Sequence, residues 1–122
     1  MVVRVQTDLF DAGAELNSFA QNRTNVGAVV SFIGVVRDTK GDLSEMQIEH
    51  YPGMTDRASG KIVEEAVTRW GLVDAMVIHR HGNLKPGAPI MMVATAAAPR
   101  AAAFDAAAII MDSLKSHAPS WK

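Results

Sequence analysis

The sequence contains no cysteine. This excludes a disulfide framework, a thiolate-ligated zinc site, and any chemistry in which the chain itself carries a sulfur nucleophile or a persulfide. An excess of charge is missing as well. Lys+Arg number 12 against Asp+Glu 13, so no global attraction to polyanions is expected and any anion site must be local. No apolar run approaches the ~20 residues that cross a bilayer, and the stretch from Met1 to Phe10 lacks a basic region leading into an apolar one. Internal repeats, a Gly-rich phosphate loop, a Ser-His-Asp order and a recognisable nucleic-acid module are also absent. His50, His79, His81 and His117 are not spaced as ligands of a helical zinc motif. What is present is a chain of 122 residues, 48% of them hydrophobic. That is room for one domain, residues 1–122, and one core, with roughly two thirds of the unfolded surface buried. The expectation is a soluble, cytoplasmic protein with no membrane and no nucleic-acid partner.

The patterning predicts an α+β domain. Val2, Val3 and Val5 suggest a short strand, and Asp11 stands as N-cap before a helix through Ala14, Leu16, Phe19 and Ala20. Val26 to Val36 is a nearly unbroken apolar run, which predicts a strand buried on both faces and central in the sheet. After the polar turn from Arg37 to Asp42, Met46, Ile48 and His50 alternate with Gln47, Glu49 and Tyr51, as in a strand. Pro52-Gly53 ends it. Ala58, Ile62, Ala66 and Trp70 recur at helical spacing, with Gly71 placed just past the end. Two more apolar runs, Ala75 to His81 and Ile90 to Ala96, flank the loop from Gly82 to Gly87 and are expected to pair antiparallel. A third helix is predicted from about Arg100 to Lys115 by Phe104, Ala107, Ala108, Met111 and Leu114, and the alanines between Ala94 and Ala108 let it lie close to the sheet. The sum is a mixed, largely antiparallel sheet with about three packed helices.

Three groups of residues have the chemistry of a local anion site. Lys115 and Lys122 bracket the segment from Ser116 to Trp121, whose Pro119 stops the helix and whose Trp121 can anchor the tail. Lys115 is equally what a helix C-terminus favours for its dipole. Arg100 opens the third helix, where free backbone N–H groups and a guanidinium together suit phosphate oxygens; a solvated arginine is the plainer reading. Arg37 follows the long strand directly, at a position held by the scaffold yet open to ligands, and it also reads as an ordinary loop cation. The expectation is that these cations gather in one cleft.

Taken together the segments resemble the large, catalytic subunit family of molybdopterin synthase. The blocks that carry the resemblance are Gly27 to Arg37, Glu49 to Met54, Val77 to Gly82, and Ile110 to Lys122, in that order, covering most of the chain from Gly27 onward. The resemblance implies an α/β hammerhead fold. It further implies sulfur transfer from the thiocarboxylated C-terminal Gly-Gly tail of a small ubiquitin-like subunit to cyclic pyranopterin monophosphate, forming the dithiolene of molybdopterin. No permanently bound cofactor is implied, and the assembly is a homodimer within a heterotetramer. Because the sulfur arrives on another protein, the missing cysteine is no obstacle. Position by position, Lys115 and Lys122 match the family lysines at the thiocarboxylate pocket, with the roles of orienting it, stabilising tetrahedral intermediates and assisting proton movement. Arg37 and Arg100 match arginines near the substrate, while Phe32 and Met111 match pocket-lining positions that ordinary core packing explains as well.

The chain departs from the family pattern in three places. Pro99 stands where a histidine is usual, Ser120 replaces a bulkier apolar residue before Trp121, and the sequence stops at Lys122 where relatives usually continue with a tail that helps complete the site. Two rival readings follow: a degenerate member that keeps only partner binding, and a phosphometabolite-binding α+β domain outside the family.

Overall fold

The structure, a computed structural model, describes residues 1–38, 41, 45–49 and 53–117. Nine elements follow one another along the chain. They are β1 (Val2–Gln6), α1 (Ala12–Ala20), β2 (Ala28–Val35), β3 (Met46–Ile48), α2 (Met54–Trp70), β4 (Asp74–Arg80), β5 (Gly82–Leu84), β6 (Pro89–Ala97) and α3 (Arg100–His117). Four strands make one sheet in the order β1-β4-β6-β2, and β3 with β5 makes a separate two-stranded ribbon. β1 pairs parallel to β4, whereas β4 with β6 and β6 with β2 pair antiparallel. The mixed, mostly antiparallel sheet with three helices is the expected architecture.

Local signals account for the helix ends. The Asp11 carboxylate accepts from the Ala14 N–H at 3.1 Å and satisfies one of the free donors of α1. Gly71 closes α2 in a left-handed conformation at φ 60°, which glycine adopts without strain. Alternation along the strands then divides the core in two. Ala75, Val77, Met91, Val93 and Ala97 face α2 and α3, packing with Val63, Ala66, Ala103, Ala106 and Ile110. Met76, Ile78, Met92, Ala94 and Ala96 face Phe19 on the opposite side, where α1 lies. Thr95 is fully buried, and its hydroxyl donates to the Ala103 carbonyl at 2.7 Å, which satisfies the group and fixes α3 on the sheet.

Two expectations are corrected. The strand from Val26 to Val36 is not central: β2 is the edge of the four-stranded sheet, and β4 and β6 are its buried interior strands. Ala28, Val30 and Phe32 pack toward α2 and α3, but Ile33 and Val35 on the other face are 42% and 50% exposed. An edge strand with apolar residues on both faces has the same sequence signature as a doubly buried one. The second correction is β5, read as loop because three residues are too few to show a period. Leu84 in it is buried and pairs with Met46. His50 and Tyr51 of the predicted third strand lie outside the described residues.

Asp74 holds the start of β4 in place. Its carboxylate meets the N-terminal ammonium at 2.8 Å, the Ala75 N–H at 2.8 Å and the Arg23 guanidinium, and Arg23 also covers the Phe19 ring. Burial raises the Asp74 pKa, but the hydrogen bonds from the ammonium, Ala75 and Arg23 outweigh it and hold the group below its ordinary value. A depressed folded-state pKa contributes stability above the unfolded value, near ~3.9, and loses it as the pH falls through the folded one. Asp74→Asn is therefore expected to lower the thermal midpoint by several degrees at pH 7, with the gap to the parent closing at about pH 3 and below. Melts at both pH values check this, and an undiminished gap in acid would assign the loss to packing rather than charge.

Candidate active site

Arg37 is exposed, yet the backbone that carries it is fixed. The preceding residue, Val36, is 2% exposed; its N–H donates to the Ala88 carbonyl at 2.9 Å and its carbonyl accepts from the Gly87 N–H at 2.8 Å. The arginine thus leaves a pinned strand end, as a ligand-binding cation should.

Arg100, Met111 and Lys115 all lie on α3. A two-residue link joins β6 to this helix, which packs back over β6 and β2, so it runs antiparallel to β6 and in the direction of β2. Its C-terminal end consequently arrives where β2 ends. The antiparallel pairing of β2 with β6 and the return of α3 over both set exposed Lys115 and Arg37 toward the same end of the fold. Phe32 and Met111 are partly buried against the core on the α2 and α3 side of the sheet, consistent with core packing as well as with a pocket wall.

Arg100 lies at the other end. Fifteen residues at ~1.5 Å rise separate it from Lys115 by roughly 22 Å along the helix axis. A single chain therefore sets Arg100 apart from Lys115, and gathering all the cations in one cleft would take a second copy. The chain does place these two on one flank of α3: positions 100, 104, 108, 111 and 115 follow spacings of four, four, three and four, which is one helical face. The opposite flank, with Ile109 and Ser113, forms a groove against Ile62, Arg69 and Trp70 of α2. Lys122 lies outside the described residues.

The start of α3 is set by a close backbone approach. The Gly27 N–H donates to the Ala97 carbonyl at 3.0 Å, and a Cβ on Gly27 would meet the Ala98 carbonyl oxygen at 2.1 Å. Because that atom is backbone, it cannot step aside as a side chain would. Gly27→Ala is expected to cost about 2–3 kcal/mol by overpacking and to displace the turn before Arg100. Urea unfolding measures the cost, and a change below 0.5 kcal/mol would show that the turn yields freely.

Sequence reasoning missed Arg80. It is 7% exposed, and its guanidinium donates to the Thr7 carbonyl at 2.9 and 3.2 Å and to the Pro89 carbonyl at 2.9 Å. This ties the exit of β1 to the start of β6, the residue paired with Val35 just before Arg37. The signal was an arginine closing a largely apolar strand, visible but without a partner that the sequence could supply.

Comparison with known proteins identifies the relatives of this arrangement. The MoaE protein family matches residues 5–117. A molybdopterin synthase catalytic subunit of Cereibacter sphaeroides is 60% identical over 122 residues, covering 100% of this chain and 84% of the relative. The solved structure of a molybdopterin biosynthesis MoaE protein from Burkholderia ambifaria superposes with a TM-score of 0.85 at 43% identity, covering 94% of this chain and 76% of that one. At 17% identity, a Helicobacter pylori complex of subunits 1 and 2 of molybdopterin-converting factor has the same fold, with a TM-score of 0.78, covering 93% of this chain and 77% of its counterpart. Among the described residues, no helix is long and apolar enough to cross a membrane.

Proposed function

From the premise that the chain belongs to the MoaE family of molybdopterin synthase catalytic subunits, we propose how its residues carry the sulfur transfer. A small ubiquitin-like subunit presents a C-terminal thiocarboxylate to the end of the fold that carries Arg37 and Lys115. The thiocarboxylate sulfur attacks an oxygen-bearing carbon of cyclic pyranopterin monophosphate, and the C–O bond at that carbon breaks, the oxygen leaving with the electron pair and taking up a proton; the carrier's acyl carbon is then bonded to the transferred sulfur. Water then adds to that carbon, and the C–S bond breaks. The carrier departs as a carboxylate, the sulfur stays on the pterin, and a second round completes the dithiolene of molybdopterin.

Lys115 serves both steps as a cation beside developing negative charge: first on the thiocarboxylate oxygen, then on the oxyanion of the tetrahedral intermediate. Lys122 joins it as the second lysine of that pocket. Arg37 and Arg100 take the substrate phosphate, to which a guanidinium offers paired donors. Phe32 and Met111 wall the pterin. What supports this reading is the topology, in which β2 ends and α3 ends toward the same end of the sheet and so carry Arg37 and Lys115 there from stretches far apart in sequence.

Arg100 then has to come from a second copy, since its own helix holds it roughly 22 Å from Lys115. The unit of function is accordingly a homodimer with one carrier at each of two composite sites, in the cytoplasm where the carrier is charged with sulfur. Reconstitution with a thiocarboxylated carrier and the cyclic precursor tests the whole scheme. Dithiolene product is expected. A folded chain that binds the carrier and yields none would be a degenerate member, and one that binds no Gly-Gly-tailed carrier at all would be a metabolite-binding domain.

A further inference from the structure

Two arginines of this domain are held by carboxylates, Arg4 by Glu15 and Arg23 by Asp74. Arg80 is not. It is buried at the end of β4, and among the described residues its guanidinium has backbone carbonyls for partners and no carboxylate. A buried charge is costly, and what offsets the cost here is this set of charge-assisted bonds.

The carbonyls belong to the two neighbours of β4. Nε and Nη2 donate to Thr7, just past β1, and Nη1 donates to Pro89, the first residue of β6. The guanidinium therefore spans three strands where their ladders stop, the last pairs being Gln6 with Arg80 and His79 with Met91. That end is where β6 most needs a hold. Gly34 of β2 faces Met91 but Val35 faces Pro89, so Ile90 has no opposite on β2 and the register shifts. Such a bulge interrupts the ladder and re-aims the chain beyond it. Past it, successive carbonyls turn to opposite sides: Pro89 accepts from Arg80, and Ala88 accepts from the Val36 N–H at 2.9 Å. The Gly87 N–H returns to the Val36 carbonyl at 2.8 Å. Arg37 follows Val36 directly. The backbone that aims it is fastened to residues 87 and 88, and the next residue, Pro89, is fastened to Arg80.

We propose that Arg80 is a positioning residue for the sulfur transfer: by tying the start of β6 to the exit of β1, it holds the bulge in one geometry and fixes the direction in which Arg37 enters the substrate site. This rests on the reading of Arg37 as a group that takes the substrate phosphate. The donors of Arg80 are turned to backbone, so it acts through Arg37 and is not a catalytic residue. A paired guanidinium contact tolerates little misdirection, because both N–H groups must meet oxygens at once. Loosening the strand end therefore weakens binding of the precursor, while the chemistry at Lys115 proceeds once the precursor is bound.

Arg80→Lys keeps the charge but replaces a planar fork with a single ammonium, which does not hold both strands in the same way. In the full chain with its thiocarboxylated carrier, it is expected to raise KM for cyclic pyranopterin monophosphate roughly tenfold and to leave kcat within about twofold. Combined with Arg37→Ala, the same change is expected to have no further effect on KM, because the residue it positions is gone. A merely structural role predicts the same factor in both backgrounds, and that result overturns the proposal. So does a folded Arg80→Lys with the KM of the parent. Arg37→Ala with the parent KM would instead strike out the phosphate role of Arg37, and the proposal with it. Amide exchange in the parent chain supplies a check that needs no variant to fold. The Val36 and Gly87 amides lie beyond a bulge at the end of an edge strand, yet they are expected to exchange at least ~100-fold more slowly than exposed loop amides. Exchange at loop rates would show that nothing holds this strand end, and overturns the proposal as well.

Discussion

Lys115→Ala is expected to lower single-turnover product formation by roughly 10²–10³-fold, the range found when one preorganised group facing a developing oxyanion is removed. Its fold should hardly notice. Lys115 is exposed in the last turn of α3, so the structural cost is limited to its interaction with the helix dipole, ~0.3–1 kcal/mol. Affinity for the carrier should change little, because one terminal ammonium is a small part of a protein–protein surface. The pattern is specific: chemistry lost, fold and carrier binding kept. Lys115→Arg separates two roles within it. A guanidinium keeps the positive charge but does not give up a proton in this pH range, so partial activity there assigns Lys115 to electrostatic stabilisation. Activity as low as in Lys115→Ala assigns it to proton movement or to geometry that only the ammonium fits. Near-normal product from Lys115→Ala would remove this residue from the mechanism altogether.

Mixing two inactive proteins should restore activity. Arg100→Ala and Lys115→Ala are each expected to be severely impaired as homodimers, because every composite site then lacks one cation. In a mixed dimer, one site draws Lys115 from the first variant and Arg100 from the second, and is complete. The other site lacks both. After random exchange half the dimers are mixed, so about a quarter of all sites recover. If each site were built from a single chain, every site in the mixture would remain defective and nothing would return. The measurement is product yield as a function of mixing ratio, with the maximum at equal amounts. A flat, inactive profile, with exchange confirmed by mass spectrometry, would confine both residues to one protomer's site and contradict the roughly 22 Å separation as an argument for two copies.

Helices and interior strands were legible in the sequence because their periods are long enough to read. Asp11 marked the start of α1 and Gly71 the end of α2, and both residues cap as their chemistry requires. The place of β2 was not legible. Whether an apolar strand has a neighbour on each side depends on the rest of the sheet, and Ile33 and Val35 have the same apolar side chains exposed as they would have buried. β5 was too short to carry a pattern. For the site, the residue types pointed to cations, which the structure sets at element ends, but their mutual arrangement needed the path of the chain. Arg100 and Lys115 looked like neighbours in function, and only the direction and length of α3 set them apart. Arg80 escaped because its partners are backbone carbonyls, which every residue has and no sequence distinguishes.

One stiff rod bears a cation near each end, and the Thr95 hydroxyl bond to Ala103 sets its rotation on the sheet. In the proposed homodimer each rod would contribute to both reaction centres, so a twist that improved the phosphate side of one would alter the sulfur side of the other. The two halves of the chemistry cannot be tuned separately by moving the helix. Adjustment is left to the turn that leads into the helix, at Ala98 and Pro99.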